Sequence, residues 1–334
     1  MKPLLCIYHG NCADGFGAAC VVRRFCAEHE IEVEFYAGVY QREPPDVSDR
    51  HVLLVDFSYK LAVLQKMQAQ DPISILVLDH HKTAMEDLSG FKSALPIEQL
   101  IDAWKRAAHY DIRALFDMNR SGAGLAWDFF FPHHKRPMLI NAIEDRDLWR
   151  FKLPYTREIQ AALFSYPYDF ELWEEIIERT SMPLGLNNFI DEGTAIERKH
   201  FKDIDELLRI VTRPMKFFVP SGASIESLTG VDMIVPVANL PYTMSSDAGH
   251  TLCERDFKGQ PRPRDTANSD INPLKYFHPF AACYYDGADG RNFSLRSRDD
   301  GADVGAIAKW YGGGGHAHAA GFRVSLDELA QFDP

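Results

Sequence analysis

The chain has 334 residues, enough for two domains each with its own core, and an ordinary apolar share of 46%. No run of about 18 apolar residues occurs, which excludes a membrane-spanning helix of the usual kind. The formal net charge of −12 sets the chain against long duplex nucleic acid, whose binding needs many Lys and Arg contacts to phosphate, but leaves a short phosphate ester possible at a local site.

Taken in order, Leu4 to Tyr8 reads as a strand, Gly17 to Phe25 as a helix, and Glu32 to Ala37 and His51 to Val55 as strands. Lys60 to Gln70 reads as a helix and Ile73 to Leu78 as a further strand. Strands alternating with helices predict an α/β fold with a mostly parallel sheet, whose ligands gather beyond the carboxyl ends of the strands. Three strands run into polar residues there: His9 after "LLCIY", Asp56 after "HVLLV", and Asp79, His80 and His81 after "ISILVL". Ser121 is a candidate N-cap for a helix over "SGAGLAWDFF". Asn188 to Val211 is helical in pattern, and beyond Arg213-Pro214 strand-like "KFFV", "DMIVPVANL" and "FAACYYD" follow. The predicted organisation is therefore residues 1–187, a connecting helix over 188–212, and a smaller α/β domain over 213–334. "ERDFKGQPRPRDTANSDINP", rich in charge, Pro and Asn, reads as a mobile loop of the second domain. The opening "MKPLLCIYHG" is too short an apolar stretch for a signal peptide, and six scattered cysteines suit free thiols. Both point to the cytoplasm, with no membrane partner.

Four clusters carry candidate chemistry. "YHGNCADGFGAA" offers His9 and Asp14 in a tight turn, a set that suits a divalent ion such as Mn²⁺; the plain alternative is a turn with a capping Asp14. Asp56 by itself need only end a strand. The Asp79-His80-His81 run is harder to explain by packing, because each buried imidazole needs a hydrogen-bond partner. "NAIEDRDLWRF" adds Glu144, Asp145 and Asp147, which alone would read as a solvated helix face. Two metals about 3.5–4 Å apart need about this many carboxylates and imidazoles, and serve phosphoryl chemistry. Near the C-terminus, "YGGGGHAHAAGF" places Gly313, Gly314 and Gly315 before His316, where exposed backbone N–H groups suit an anion. Upstream, Arg296 and Arg298 read as lying on one face of a strand and suit a phosphate. Tyr284, Tyr285 and Phe293 could stack on a base, although core packing is their commoner role.

With "HGNCADG", "VDFS", "LDHH" and "IEDRD" in this order, followed by "GGGGHAHAAGF", the chain resembles the DHH phosphoesterase family over most of its length. The resemblance implies a parallel-sheet catalytic domain and a smaller DHH-associated substrate domain joined by a helix, with an active site in the cleft between them. It implies hydrolysis of phosphate esters or anhydrides by a water bridging two metals, usually Mn²⁺. His9, Asp14, Asp56, His80 and Asp145 are implied as metal ligands, with Asp56 bridging and Asp147 the less favoured alternative to Asp145. Asp79 would orient an adjacent imidazole, and His81 would face the scissile phosphate. Arg296, His316 and the backbone of Gly313, Gly314 and Gly315 would hold another phosphate or the nucleotide end of the substrate. One departure is that Cys12 stands where the family has an aspartate, so Asn11 or Cys12 becomes a candidate replacement ligand. The expected activity is a phosphodiesterase on short oligonucleotides or cyclic dinucleotides, releasing mononucleotides. The alternatives are a phosphatase on polyphosphate or a nucleotide bisphosphate, and a nucleotide-binding regulator without catalysis. A homodimer is a further expectation of the resemblance.

Overall fold

A computed structural model of the chain describes residues 2–10, 12–40, 42–223, 230–255 and 278–329. It forms two compact units, Met1–Glu197 and Arg198–Pro334.

The first unit is built on five parallel strands: β1 (Leu4–His9), β2 (Val33–Gly38), β3 (His51–Val55), β4 (Ser74–Asp79) and β5 (Arg113–Phe116), in the order β2-β1-β3-β4-β5. The nearly unbroken apolar runs follow from burial on both faces, since successive side chains point to opposite sides. Leu4, Cys6, Leu53, Val55, Leu76 and Leu78 enter one core, together with Phe16 and Phe25 of α1 (Ala13–Glu28) and Trp127 of α5 (Gly122–Phe130). Leu5, Ile7, Val52, Leu54, Ile75 and Val77 enter the other, beneath Leu64 and Met67 of α2 (Leu61–Gln68). The remaining helices are α3 (Lys82–Asp87), α4 (Ile97–Arg106), α6 (Met138–Asp147), α7 (Thr156–Leu163), α8 (Phe170–Ser181) and α9 (Pro183–Val211), and α9 continues into the second unit.

Helix α1 begins at Ala13, four residues before the predicted start, so Asp14 lies in its first helical turn. A Cβ on Gly15 would sit 2.4 Å from the His9 carbonyl oxygen, so glycine lets the helix press against the end of β1.

In the second unit six strands run β10-β11-β9-β8-β7-β6. They are β6 (Thr212–Val219), β7 (Val231–Asn239), β8 (Ala281–Gly287), β9 (Gly290–Arg296), β10 (Gly314–Gly315) and β11 (Ala319–Val324). Only the β7–β8 pair is parallel among those described, and α10 (Ser245–Cys253) lies in its crossover. Phe217, Val235, Phe280, Leu295 and Phe322 form the core of one face, with Ile307 of α11 (Val304–Trp310). Ala281 and Cys283 face Leu252 of α10 and Ile204 and Leu208 of α9. The loop predicted over Glu254 to Pro273 lies, beyond its first two residues, outside the described residues.

Candidate metal centre

β1, β3 and β4 are neighbours with the same direction, so their carboxyl ends deliver His9, Asp56 and Asp79-His80-His81 to one edge of the sheet. There His80 Nε2 lies 2.9 Å from Asp56 Oδ1, 3.6 Å from Asp14 Oδ2 and 3.6 Å from Asp147 Oδ2. His9 Nδ1 stands 3.4 Å from Asp56 Oδ2, and neither of these buried atoms finds a hydrogen-bond partner. Cys12 groups with His9 and Asp56, its donor atom within 4.8 Å of theirs. Asn11 lies outside the described residues.

Asp56 adopts φ +53°, a left-handed conformation uncommon outside glycine, which turns the chain sharply as it leaves β3. Asp14 is held from another element: its carboxylate accepts the Gly122 and Ala123 N–H groups at 2.5 and 2.9 Å. The acid thus caps α5 rather than its own helix, where the positive end of the dipole favours it. Ser121 caps the same terminus, its Oγ accepting the Gly124 N–H at 3.2 Å. The approach is close, since a Cβ on Gly122 would lie 2.2 Å from Asp56 Cβ.

Asp79 is fully buried and points at its own neighbours. Its Oδ1 accepts the His80 N–H at 2.8 Å and lies 2.7 Å from His81 Nδ1, while Oδ2 has no hydrogen-bond partner. His81 is half-buried.

Asp145 is not brought into this group. Its carboxylate accepts the Lys152 and Leu153 N–H groups at 2.9 and 3.0 Å and the Thr156 hydroxyl at 2.5 Å, pinning the turn after α6. Asp147, two residues on, faces His80 instead. Glu144 also stays out, accepting from Arg120 and the Ser121 N–H and pairing with Arg136 at 3.0 Å.

The electrostatics describe a surplus of acid. Burial, then the charges of Asp56 and Asp147, push the Asp14 carboxyl well above the usual range. Burial likewise raises Asp147. Burial opposes charge on His80, but its bond to Asp56 and the nearby carboxylates outweigh this and hold the imidazolium well above its ordinary value. Asp56 is driven well below the carboxylate range: burial raises it, and His80 and His9 more than offset that. A carboxylate and imidazole set with orphaned buried donors and too little positive charge fits a hard or borderline divalent cation. His9, Asp14, Asp56, His80 and Asp147 could hold it.

Tyr40, which sequence reading passed over, lies two residues beyond β2, the strand beside β1. Its ring meets His9 edge-on at 5.3 Å and Phe57 at 4.8 Å, and stays 44% exposed. Its position just past the carboxyl end of a neighbouring strand was the available signal.

The residues expected to bind phosphate belong to the second unit. Arg296 ends β9, its Nη1 donating to Ser294 Oγ at 3.0 Å and the Leu295 carbonyl at 2.7 Å. Arg298 does not share a strand face with it. It lies past the end of β9 and donates to the Cys253 carbonyl at 2.6 Å and to Asp300 at 2.8 Å. The glycine run is less open than expected. Gly313 donates its N–H to the Ala308 carbonyl at 2.8 Å, and Gly314 and Gly315 pair with Gly321 and Ala320. His316 donates its N–H to the Ala319 carbonyl at 2.8 Å and is half-buried. Tyr284 and Phe293, considered as base-stacking rings, are instead buried in the core of their sheet, while Tyr285 is half-buried.

No protein-family model matches the chain. A curated relative, the uncharacterized protein R106 of Acanthamoeba polyphaga mimivirus, is 28% identical over 337 residues, covering 96% of this chain and 67% of its own length. Among solved structures, the pGpG-specific phosphodiesterase PggH of Vibrio cholerae aligns at 14% identity and TM-score 0.39, over 99% of this chain and 96% of that one. RecJ of Thermus thermophilus in complex with Mn²⁺ aligns at 14% identity and TM-score 0.45, over 98% of this chain and 50% of its own. An exopolyphosphatase-related protein of Bacteroides fragilis aligns at 13% identity and TM-score 0.39, over 99% of this chain and 89% of its own. In the described residues no helix is long and apolar enough to cross a membrane.

Proposed function

We propose that the chain is a metal-dependent phosphodiesterase of the DHH phosphoesterase type, hydrolysing short oligonucleotides or cyclic dinucleotides to mononucleotides. One observation carries this: three carboxylates, Asp14, Asp56 and Asp147, converge within 3.6 Å of His80 Nε2 on the carboxyl edge of a parallel sheet. Asp14 and Asp56 are buried, and three acids this close together are unfavourable unless cations neutralise them. Divalent ions held there, with Mn²⁺ the expected species and two the expected number, would supply Lewis acidity to a phosphoryl oxygen and to the attacking water.

The remaining chemistry belongs to the chain. His81 Nδ1 lies 2.7 Å from Asp79 Oδ1, a partner that would hold the ring in one orientation facing the scissile phosphate. The α5 N-terminus holds Asp14, and through the steric limit at Gly122 keeps Asp56 in register with it. Arg296 and His316 remain proposed contacts for a second phosphate.

The test is hydrolysis of a linear dinucleotide, a cyclic dinucleotide, a nucleotide 3′,5′-bisphosphate and polyphosphate with added Mn²⁺. Turnover of a dinucleotide that disappears in His80→Ala is the expected result. An absence of turnover on every member of the panel, with any divalent ion, overturns the proposal.

A further inference from the structure

Immediately after Asp147 the chain does something costly. Trp149, Phe151 and Tyr155 have φ of +53°, +46° and +63°, a region that bulky side chains rarely adopt. Over the first two of these rings lie two arginines: Arg157 is 3.8 Å from the centroid of Phe151, and Arg146 is 4.6 Å from that of Trp149. Trp149 and Phe151 meet edge-on at 4.9 Å, and Arg146 also approaches Phe164 at 5.8 Å. Phe164 and Tyr155 are 52% and 56% exposed.

A cation–π stack that merely holds the loop is the plain alternative. The loop, however, is already pinned from within by the Asp145 carboxylate on Lys152, Leu153 and Thr156. The outer layer of rings and guanidiniums is an addition to that anchor. It also reverses the local charge: across 146–164, Arg146, Arg150, Lys152 and Arg157 stand against two acids, Asp147 and Glu158, in a chain whose net charge is −12. A guanidinium stacked on a ring is oriented through its flat face, and its planar N–H geometry matches phosphate oxygens. Aromatic faces interleaved with basic groups are the means by which single strands are held without regard to sequence.

We infer that the segment 146–164 is a binding platform for single-stranded oligonucleotide, seating nucleotides beyond the phosphate cleaved beside Asp147. The inference rests on the phosphodiesterase reading and narrows its substrate class to single strands, against polyphosphate or a bisphosphate.

Binding of a fluorescein-labelled ten-nucleotide uridine strand, followed by anisotropy in EDTA so that nothing is cleaved, tests the platform. Arg157→Gln and the double variant Tyr155→Ala, Phe164→Ala are each expected to weaken binding roughly tenfold, with a thermal melt showing the fold retained. Raising salt should weaken the wild-type complex further. No binding by the wild type, or variants that bind as well as it does, overturns the platform. Hydrolysis of bis(p-nitrophenyl) phosphate by the wild type with Mn²⁺ is measured beside it. Turnover with unchanged decamer binding in the variants removes the platform alone, whereas no turnover with weakened binding removes the phosphodiesterase reading alone.

Discussion

Asp145 and Asp147 show how two carboxylates in one short motif take different tasks. They sit two positions apart on α6, so about 200° of helical rotation separates them and they must face different surroundings. The sequence contains both acids but not which way the helix is turned. Packing decides it: Asp145 faces the backbone of the following turn, and Asp147 faces His80. Asp145→Asn should therefore cost about 1–3 kcal/mol of stability through its weakened hydrogen bonds, with Mn²⁺ affinity largely kept. Asp147→Asn should do the reverse, holding the melt and weakening Mn²⁺ binding by more than the roughly tenfold expected for an outer partner. Calorimetric titration with Mn²⁺ beside a thermal melt separates them, and matching profiles for the two variants would contradict the assignment. Gly122 is the other residue whose role only the structure reveals. Its absent side chain gives Asp56 its place, since a Cβ would lie 2.2 Å from Asp56 Cβ and 2.6 Å from its carboxyl carbon. Gly122→Ala is expected to abolish Mn²⁺ binding in any fraction that folds, measured by the same titration.

Among elements, the parallel strands were the most legible because burial on both faces leaves a nearly continuous apolar word, as in "HVLLV", and the polar residue that ends each word marks the functional edge. The start of α1 was less legible: the helix reads from Gly17 but begins at Ala13, and Gly15 and Gly17 give close approach to β1 and to α5 and α6. The glycine run before His316 was similarly ambiguous, because a strand pair in close contact and an open anion cradle ask for the same residue. At Gly313 a Cβ would stand 2.0 Å from the Gly321 carbonyl oxygen and 2.6 Å from Phe322 Cβ. Gly313→Ala should accordingly destabilise the second unit by about 1–3 kcal/mol, seen as lost hydrogen-exchange protection along β11. Retained protection with lowered nucleotide affinity would instead return the run to an anion-binding role.

For the molecule as a whole, acid should be more damaging than base, and one buried histidine gives that expectation a location. His51 opens β3, is only 3% exposed, and sits with Nδ1 2.5 Å from Ser74 Oγ. Burial lowers its pKa to about 4, with a smaller contribution from nearby His109 and only partial opposition from the Ala103 carbonyl. In the unfolded chain the same imidazole titrates near its ordinary value of about 6.5. Between those values the unfolded state takes up a proton that the folded state refuses. The stability this histidine lends is complete above about pH 6.5 and is lost as pH falls toward 4, amounting to on the order of 2 kcal/mol at pH 4.5. Four of the five tryptophans, Trp104, Trp127, Trp149 and Trp173, lie in the first unit, so their fluorescence follows the unfolding of the sheet that contains His51. Urea titrations at pH 7.5 and 4.5 should show a clear fall in stability for the wild type. In His51→Gln, which cannot titrate, the fall should be smaller by about that 2 kcal/mol even if the variant starts from a lower stability. Equal falls in the two proteins would place the acid sensitivity elsewhere, in the carboxylates rather than at the foot of β3.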